Sequence, residues 1–219
     1  IYIFGIFYYQ IIFIFKGKHM STIIERFNKI KSNIAKKNND NSIKIVAVSK
    51  TFTIDHIMPL VKYGHIHFGE NKVQEAENKW LQTKLINNNI KLHMIGKLQS
   101  NKVKYVIPLF DYIHSLDNFK LAEKISSEQS KKNKKLKIFI QVNIGNEEQK
   151  NGIQVDRLES FYKECVANLD LNIIGLMCLP PNKSNNSTYF SEMKKLSNTL
   201  NLKELSMGMS NDYLQAQKE

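Results

Sequence analysis

The chain has 219 residues, of which 42% are hydrophobic, and this is enough to bury one sizeable core in a single domain. Its formal net charge of +12 raises the question of a nucleic-acid ligand, but Arg26 and Arg157 are the only arginines and no basic cluster is interleaved with aromatic residues. Cys165 and Cys178 are the only cysteines, and neither has metal-ligand or CxxC spacing. The composition therefore argues against a nucleic-acid partner and a metal site, and two isolated thiols favour a reducing, cytoplasmic compartment.

Residues 1–15 are strongly apolar, but the run is shorter than the ~20 residues of a spanning helix and it contains Gln10. A signal peptide carries positive charge before its apolar region, whereas Lys16 and Lys18 follow this one. Met20 immediately precedes a helix signature. We therefore expect residues 1–19 to be a non-native or spurious leader and residues 20–219 to form the folded domain, with no membrane partner; a membrane anchor is the alternative.

The first strand candidate covers residues 43–50, whose centre at residues 45–48 is an unbroken apolar run. This pattern is typical of a strand in a parallel sheet that helices cover on both faces. Lys50 stands at the carboxyl end of the run, where loops of α/β folds gather reactive groups. A lysine against apolar walls can act as an amine nucleophile and form a Schiff base. The alternative is that Lys50 ends a buried strand by reaching for water.

Strand and helix patterns then alternate to the end of the chain. The six further strand candidates are residues 66–68, 91–96, 112–114, 137–143, 173–177 and 205–209. Helical patterns cover residues 21–34, 54–63, the stretch after Asn71 through Trp80, 100–106, 119–128, 155–169 and 189–200, and a last helix is expected to begin at Ser210. Such crossovers suit right-handed βαβ units, so the sequence predicts an α/β (β/α)₈ TIM barrel, with a doubly wound open sheet as the alternative.

Seven short motifs in register carry a resemblance to a known family. They are residues 47–51 (AVSKT), 68–71 (FGEN) with 73–75 (VQE), 93–96 (HMIG) with 98–102 (LQSNK), 140–143 (IQVN), 150–153 (KNGI), 175–177 (GLM) and 205–210 (LSMGMS). Together they resemble the pyridoxal-phosphate homeostasis proteins, whose fold is similar to the barrel domain of alanine racemase. The resemblance implies that Lys50 binds pyridoxal 5′-phosphate covalently as a Schiff base.

The same resemblance implies a place for the phosphate. In such barrels the phosphate lies against the loops after the last strands and a helix N-terminus. Ser206, Gly208 and Ser210 are expected to supply a hydroxyl donor, a close backbone approach and the start of a helix. An ordinary helix cap is the alternative role for Ser210.

Three further residues are expected near the cofactor. Asn71 matches the family asparagine beside the cofactor ring, although an asparagine that ends a strand is commonly a turn residue. Strand parity directs His93 and Met177 toward the barrel interior or its mouth. A lone histidine on a strand is more often a satisfied core residue, so His93 is a pocket-lining candidate.

The chain also departs from the family pattern. Phe52 stands where many relatives carry a second lysine. Relatives continue into an eighth strand of the type Val-Arg-Ile-Gly, whose arginine faces the pyridine nitrogen, and nothing after residue 210 matches it. We expect a C-terminally incomplete barrel that lacks the eighth strand, with unpaired edges on the first and seventh strands and reduced cofactor affinity.

The resemblance implies a monomeric carrier that buffers pyridoxal phosphate and releases it to apo-enzymes, without established catalysis. The alternative is a small pyridoxal-phosphate enzyme such as an amino-acid racemase. A third interpretation is a phosphate-handling barrel enzyme in which Lys50 forms a Schiff base with the substrate itself.

Overall fold

Parallel strands and covering helices alternate along the chain, as the sequence predicts. The computed structural model describes residues 8–9, 20–36, 43–181 and 185–219. The strands are β1 (Tyr8–Tyr9), β2 (Lys44–Ile45), β3 (Ala47–Val48), β4 (His67–Glu70), β5 (Lys91–Met94), β6 (Tyr112–Leu116), β7 (Lys137–Val142), β8 (Ile173–Cys178) and β9 (Glu204–Ser206). The helices are α1 (Met20–Ala35), α2 (Ile54–Lys62), α3 (Val73–Ile86), α4 (Val103–Leu109), α5 (Phe119–Lys132), α6 (Leu158–Ala167), α7 (Ser187–Thr199) and α8 (Tyr213–Ala216).

All strands belong to one parallel sheet in the order β2-β1-β9-β8-β7-β6-β5-β4-β3. Only Val46 separates β2 from β3, so the two ends of this order are consecutive parts of one strand candidate. The sheet therefore curls round on itself with its helices outside. This confirms the predicted barrel, and β9 is the last strand in the described part of the chain, as expected for a barrel without its usual eighth strand.

The short strand β1 lies between the first and the last barrel strands. Tyr8 is the Cα partner of both Lys44 in β2 and Ser206 in β9, and Tyr9 pairs with Ile45. The two edges that we expected to be unpaired are thus bridged at these positions. The other residues of 1–19, apart from Tyr8 and Tyr9, lie outside the described residues, and the domain boundary at Met20 stays a prediction.

Two apolar cores result from the alternation of side chains along the strands. The larger core lies between the sheet and the helices, where Phe68 packs against Trp80 of α3 with ring centroids 4.7 Å apart. The smaller core is a separate cluster that fills the barrel. Its members are Val46, Val48, Ile95, Tyr112, Phe139 and Met177.

Within the described residues, none of the helices combines the length and the apolar character that crossing a bilayer requires.

Candidate functional site at the carboxyl edge of the barrel

Lys50 lies in the turn that follows β3 and is half-buried. Its neighbour Ser49 faces the helix layer, because the Ser49 hydroxyl donates to Glu70 Oε1 at 2.7 Å and Glu70 also accepts from Trp80 of α3. Val46 and Val48 face the barrel core. Successive strand residues point to opposite faces, and Lys50, two residues after β3, has the same sequence parity as Val46 and Val48. Lys50 therefore lies at the carboxyl edge of the barrel, and the attachment of a cofactor to its amine stays a prediction.

Asn71 follows β4 directly, on the strand next to β3. Its side-chain oxygen Oδ1 is buried and has no hydrogen-bond partner among the described residues. The backbone of Asn71 packs tightly against Gly96, where an added Cβ would lie 2.3 Å from the Asn71 carbonyl oxygen. Asn71 is therefore held by the glycine that ends the HMIG motif. A buried amide oxygen at the rim that has no partner can accept a hydrogen bond from a donor group of a ligand.

Three imidazoles form a hydrogen-bonded chain through the barrel interior. His67 Nδ1 lies 3.0 Å from His93 Nε2, and His93 Nδ1 lies 2.9 Å from His114 Nε2. His114 Nδ1 in turn lies 2.9 Å from the Ser206 hydroxyl. The rings also stack, His93 on Tyr112 and His114 on Phe139, with centroids 4.1 and 4.4 Å apart. The chain thus connects three adjacent strands to β9, on the far side of the barrel.

Burial keeps these imidazoles neutral at physiological pH. Desolvation lowers the pKa of His114 to about 3, and desolvation with the nearby lysines lowers the pKa of His67 to about 4. The pKa of His93 lies well below its usual value, because the ring is fully buried and flanked by two other imidazoles. Both ring nitrogens of His93 are used within the chain. His93 is therefore a satisfied interior residue beneath the rim, and its contact with a cofactor stays a prediction.

Met177 and Ser206 are Cα partners on β8 and β9. Both are buried, and Met177 belongs to the core that fills the barrel. The contact with His114 directs the Ser206 hydroxyl inward. The structure thus brings Ser206 and Met177 to the same wall of the interior, as strand parity predicts for Met177.

The turn after β9 differs from the prediction. Gly208 has φ +87°, a backbone conformation that favours glycine. The Met209 N–H donates to Asp212 Oδ1 at 2.6 Å, and α8 begins at Tyr213 and has only four residues. The expectation that Ser210 begins the last helix is wrong, because the backbone of Asp212, with φ −134°, lies outside the helical range and α8 begins only at Tyr213. Ser210 is an exposed turn residue, so a phosphate here would meet the turn and not a helix N-terminus.

Sequence reasoning missed several residues that surround these positions. Lys79 and Glu75 of α3 contact the backbone on either side of Lys50, and His67 and His114 complete the imidazole chain. Glu75 belongs to the VQE motif at residues 73–75, but the motif alone does not predict its contact with the Thr51 amide. The imidazole chain could have been predicted from the sequence, because one histidine recurs on each of the three successive strand candidates 66–68, 91–96 and 112–114.

The fold and the rim lysine define a parallel barrel of the alanine racemase N-terminal type. The family model described as "Alanine racemase, N-terminal domain" matches residues 20–219. A pyridoxal phosphate homeostasis protein of Aquifex aeolicus is 32% identical over 205 residues, which are 90% of this chain and 88% of that protein. A protein with the same description from Buchnera aphidicola is 36% identical over 189 residues, 81% of each chain. The chain belongs to the pyridoxal phosphate homeostasis protein family.

Solved structures agree with this family. PipY of Synechococcus elongatus with pyridoxal phosphate bound superposes with a TM-score of 0.79 at 30% identity, covering 89% of this chain and 92% of PipY. PipY without the cofactor gives a TM-score of 0.80 at 29% identity, with 89% and 93% covered. Alanine racemase of Bartonella henselae has a TM-score of 0.65 at 17% identity, covering 87% of this chain and 52% of that one, which supports the fold alone.

Proposed function

We propose that this protein binds pyridoxal 5′-phosphate at Lys50 and carries the cofactor as a covalently held reserve. The observation that carries the proposal is the position of Lys50, on a turn at the carboxyl edge of the barrel and in line with the inward-facing Val46 and Val48. Relatives described as homeostasis proteins, and the cofactor bound to PipY, support the same role.

The residues present fit this cofactor. The Lys50 amine can add to the aldehyde carbon, and loss of one water leaves a C=N bond in place of the C=O bond. Adding water reverses the step and frees the cofactor. The bond can therefore hold a reactive aldehyde and be undone with water as the only other reactant.

The other candidate residues would orient the bound molecule. The unpartnered Asn71 Oδ1 would accept a hydrogen bond beside the ring, and Met177 would supply an apolar wall. The Ser206 hydroxyl and the backbone of the Gly208 turn would approach the phosphate, with Ser210 at its exposed side. His93 would act indirectly, through the imidazole chain that holds Ser206.

The experiment is reductive trapping on the whole chain. We expect added pyridoxal phosphate to give an absorbance band near the visible edge, which borohydride removes while it leaves a stable adduct on the peptide that contains Lys50. Lys50→Ala should lose the band and the adduct. Lys62→Ala, an exposed lysine of α2, is the matched control and should keep both. A band that survives in Lys50→Ala would contradict the proposal.

To distinguish a racemase-type enzyme from a carrier, the protein with bound pyridoxal phosphate is incubated with amino acids in deuterated water. A carrier is expected to release cofactor to an apo-enzyme and to leave the amino-acid α-proton in place. Steady incorporation of deuterium that depends on Lys50 would contradict the carrier role.

We further propose a cytoplasmic monomer whose partners are apo-enzymes that depend on this cofactor.

The cofactor-binding unit is proposed to be residues 20–219. Deleting residues 1–19 is expected to leave trapping at Lys50 intact, because every candidate site residue lies beyond Met20. Loss of trapping in this deletion, in a protein that remains folded, would instead assign the β1 pairing a part in the site.

A further inference from the structure

A buried ammonium group lies directly behind the Lys50 turn. Lys79 Nζ, on α3, donates to the Ser49 carbonyl oxygen at 2.8 Å. It also lies 2.9 Å from Glu70 Oε1 and 3.0 Å from Glu75 Oε1. The side chain of Lys79 is only 6% exposed and that of Glu70 is fully buried. A long cationic side chain is rarely buried unless it is paired, so this arrangement is specific.

The carboxylate of Glu70 joins the strand to the helix at the same place. Its Oε1 accepts from the Ser49 hydroxyl at 2.7 Å, from Lys79 at 2.9 Å and from Trp80 Nε1 at 2.8 Å. Three donors, one from the residue after β3 and two from α3, thus converge on one oxygen. The residue before Lys50 is held through both its carbonyl and its hydroxyl.

Glu75 holds the residue after Lys50. Thr51 N–H donates to Glu75 Oε1 at 2.6 Å, and Thr51 has φ +67°, in the left-handed region. A threonine enters this region only when its surroundings impose it, at a cost of roughly 1–3 kcal/mol. Burial alone would raise the pKa of Glu75, but the hydrogen bonds from Lys79 and Thr51 outweigh it and lower that pKa. Glu75 is therefore a charged acceptor at neutral pH.

We propose that Lys79, together with Glu70 and Glu75, is a positioning group that fixes the peptide units on both sides of Lys50. The inference rests on the proposed function, in which Lys50 is the reactive amine. The network touches the Ser49 carbonyl and the Thr51 amide, which are the two backbone groups that set the direction of the Lys50 side chain. It therefore orients the Lys50 amine through the backbone, without contacting the cofactor.

The rate of adduct formation distinguishes positioning from simple stabilisation. The test compares Lys79→Met with the wild-type chain, measuring the rate constant of Lys50 adduct formation at saturating pyridoxal phosphate and the concentration that gives half the maximal rate. Misplacing a reacting group by about 1 Å slows a reaction by up to roughly 100-fold. We expect Lys79→Met to lower the rate constant at least tenfold, whereas the half-saturating concentration should change less than about twofold, because the phosphate contacts are elsewhere. Lys79→Arg, which keeps a buried cation with several donors, should restore part of the rate.

Lys84 supplies the matched control. It lies on the same helix, and its Nζ likewise bridges a carboxylate and a carbonyl, with Asp111 Oδ2 at 2.6 Å and Leu109 O at 2.9 Å. These partners lie at the opposite end of the sheet, before β6. Lys84→Met should lower stability and leave the adduct rate within about twofold of wild type.

Glu75→Ala gives an independent variant, because Glu75 is partly exposed and its loss leaves Lys79 paired with Glu70. It should also slow adduct formation, and Glu75→Gln, which keeps an oxygen acceptor for Thr51, should do so less. If Lys79→Met does not fold, the Glu75 pair decides the question. Unchanged rates in the folded variants, or equal slowing in Lys84→Met, would overturn the inference while trapping at Lys50 stands. A wild-type chain that forms no adduct at Lys50 would overturn both proposals.

Discussion

His114 Nδ1 lies 2.9 Å from Ser206 Oγ, and this hydrogen bond crosses the barrel interior from β6 to β9. A neutral imidazole has one N–H and one acceptor nitrogen, so a chain of such rings has a direction. If His114 donates to Ser206, the serine hydroxyl keeps its own hydrogen for another acceptor. If Ser206 donates to His114, that hydrogen is used inside the barrel.

Ser206→Ala is expected to destabilise the protein by roughly 1–3 kcal/mol, because it leaves the buried His114 Nδ1 without this partner. Urea unfolding measures the difference. Ser160→Ala is the control, since its hydroxyl bonds Arg157 O at an exposed position and its loss should change stability by less than about 0.5 kcal/mol. Equal effects of the two substitutions would show that the bond across the barrel contributes nothing specific.

The same substitution tests the proposed phosphate contact. Ser206→Ala should weaken binding of pyridoxal 5′-phosphate by roughly tenfold, because a hydrogen bond to a charged group is lost. Binding of pyridoxal, which has no phosphate, should be unaffected. Equal weakening for both ligands would place Ser206 away from the phosphate.

Acid should unfold the protein through its buried imidazoles. The pKa of His114 falls from 6.5 to about 3 on folding, so between these values the unfolded chain binds more protons than the folded one. The stabilising contribution is therefore complete above pH 6.5 and is lost as the pH falls toward 3. Each such histidine contributes a slope of up to about 1.4 kcal/mol per pH unit.

The free energy of unfolding, measured by urea titration at several pH values, checks this. His114→Phe should reduce the slope by up to one proton, whatever its effect on absolute stability. A slope that His114→Phe does not alter would contradict the assignment.

Gly96→Ala should disturb the site through Asn71. The new Cβ would lie 2.3 Å from the Asn71 carbonyl oxygen, so the rim must shift, at a cost of roughly 1–3 kcal/mol, and cofactor affinity should fall. Gly64→Ala is the control, because Gly64 has φ +93° but nothing within 4 Å of an added Cβ. It should reduce stability by about 1 kcal/mol through backbone strain and leave binding of pyridoxal phosphate unchanged. Normal affinity in Gly96→Ala would mean that Asn71 does not contact the ligand.

The strand framework could be predicted because fully covered strands have unbroken apolar runs, as at residues 45–48. Lys50 could be placed because it lies two residues after such a run, whereas the position of Asn71 was expected from the family resemblance. The contact of His114 with Ser206 could not, since it joins strands that are not neighbours and depends on how the barrel curls. The approach of Lys79 to Ser49 depends on the packing of α3. The late start of α8 depends on the non-helical backbone of Asp212, with φ −134°, which the sequence does not reveal.

The left-handed backbone of Thr51 has a consequence for directed evolution. Glycine and asparagine tolerate this conformation better than a β-branched residue, so a screen for heat-resistant variants should recover Thr51→Gly or Thr51→Asn. With glycine the turn could also relax into other shapes, and the Lys50 amine would sample more directions. Variants selected for heat tolerance at this position should therefore capture the aldehyde more slowly, a trade-off between robustness and speed located in a single peptide unit.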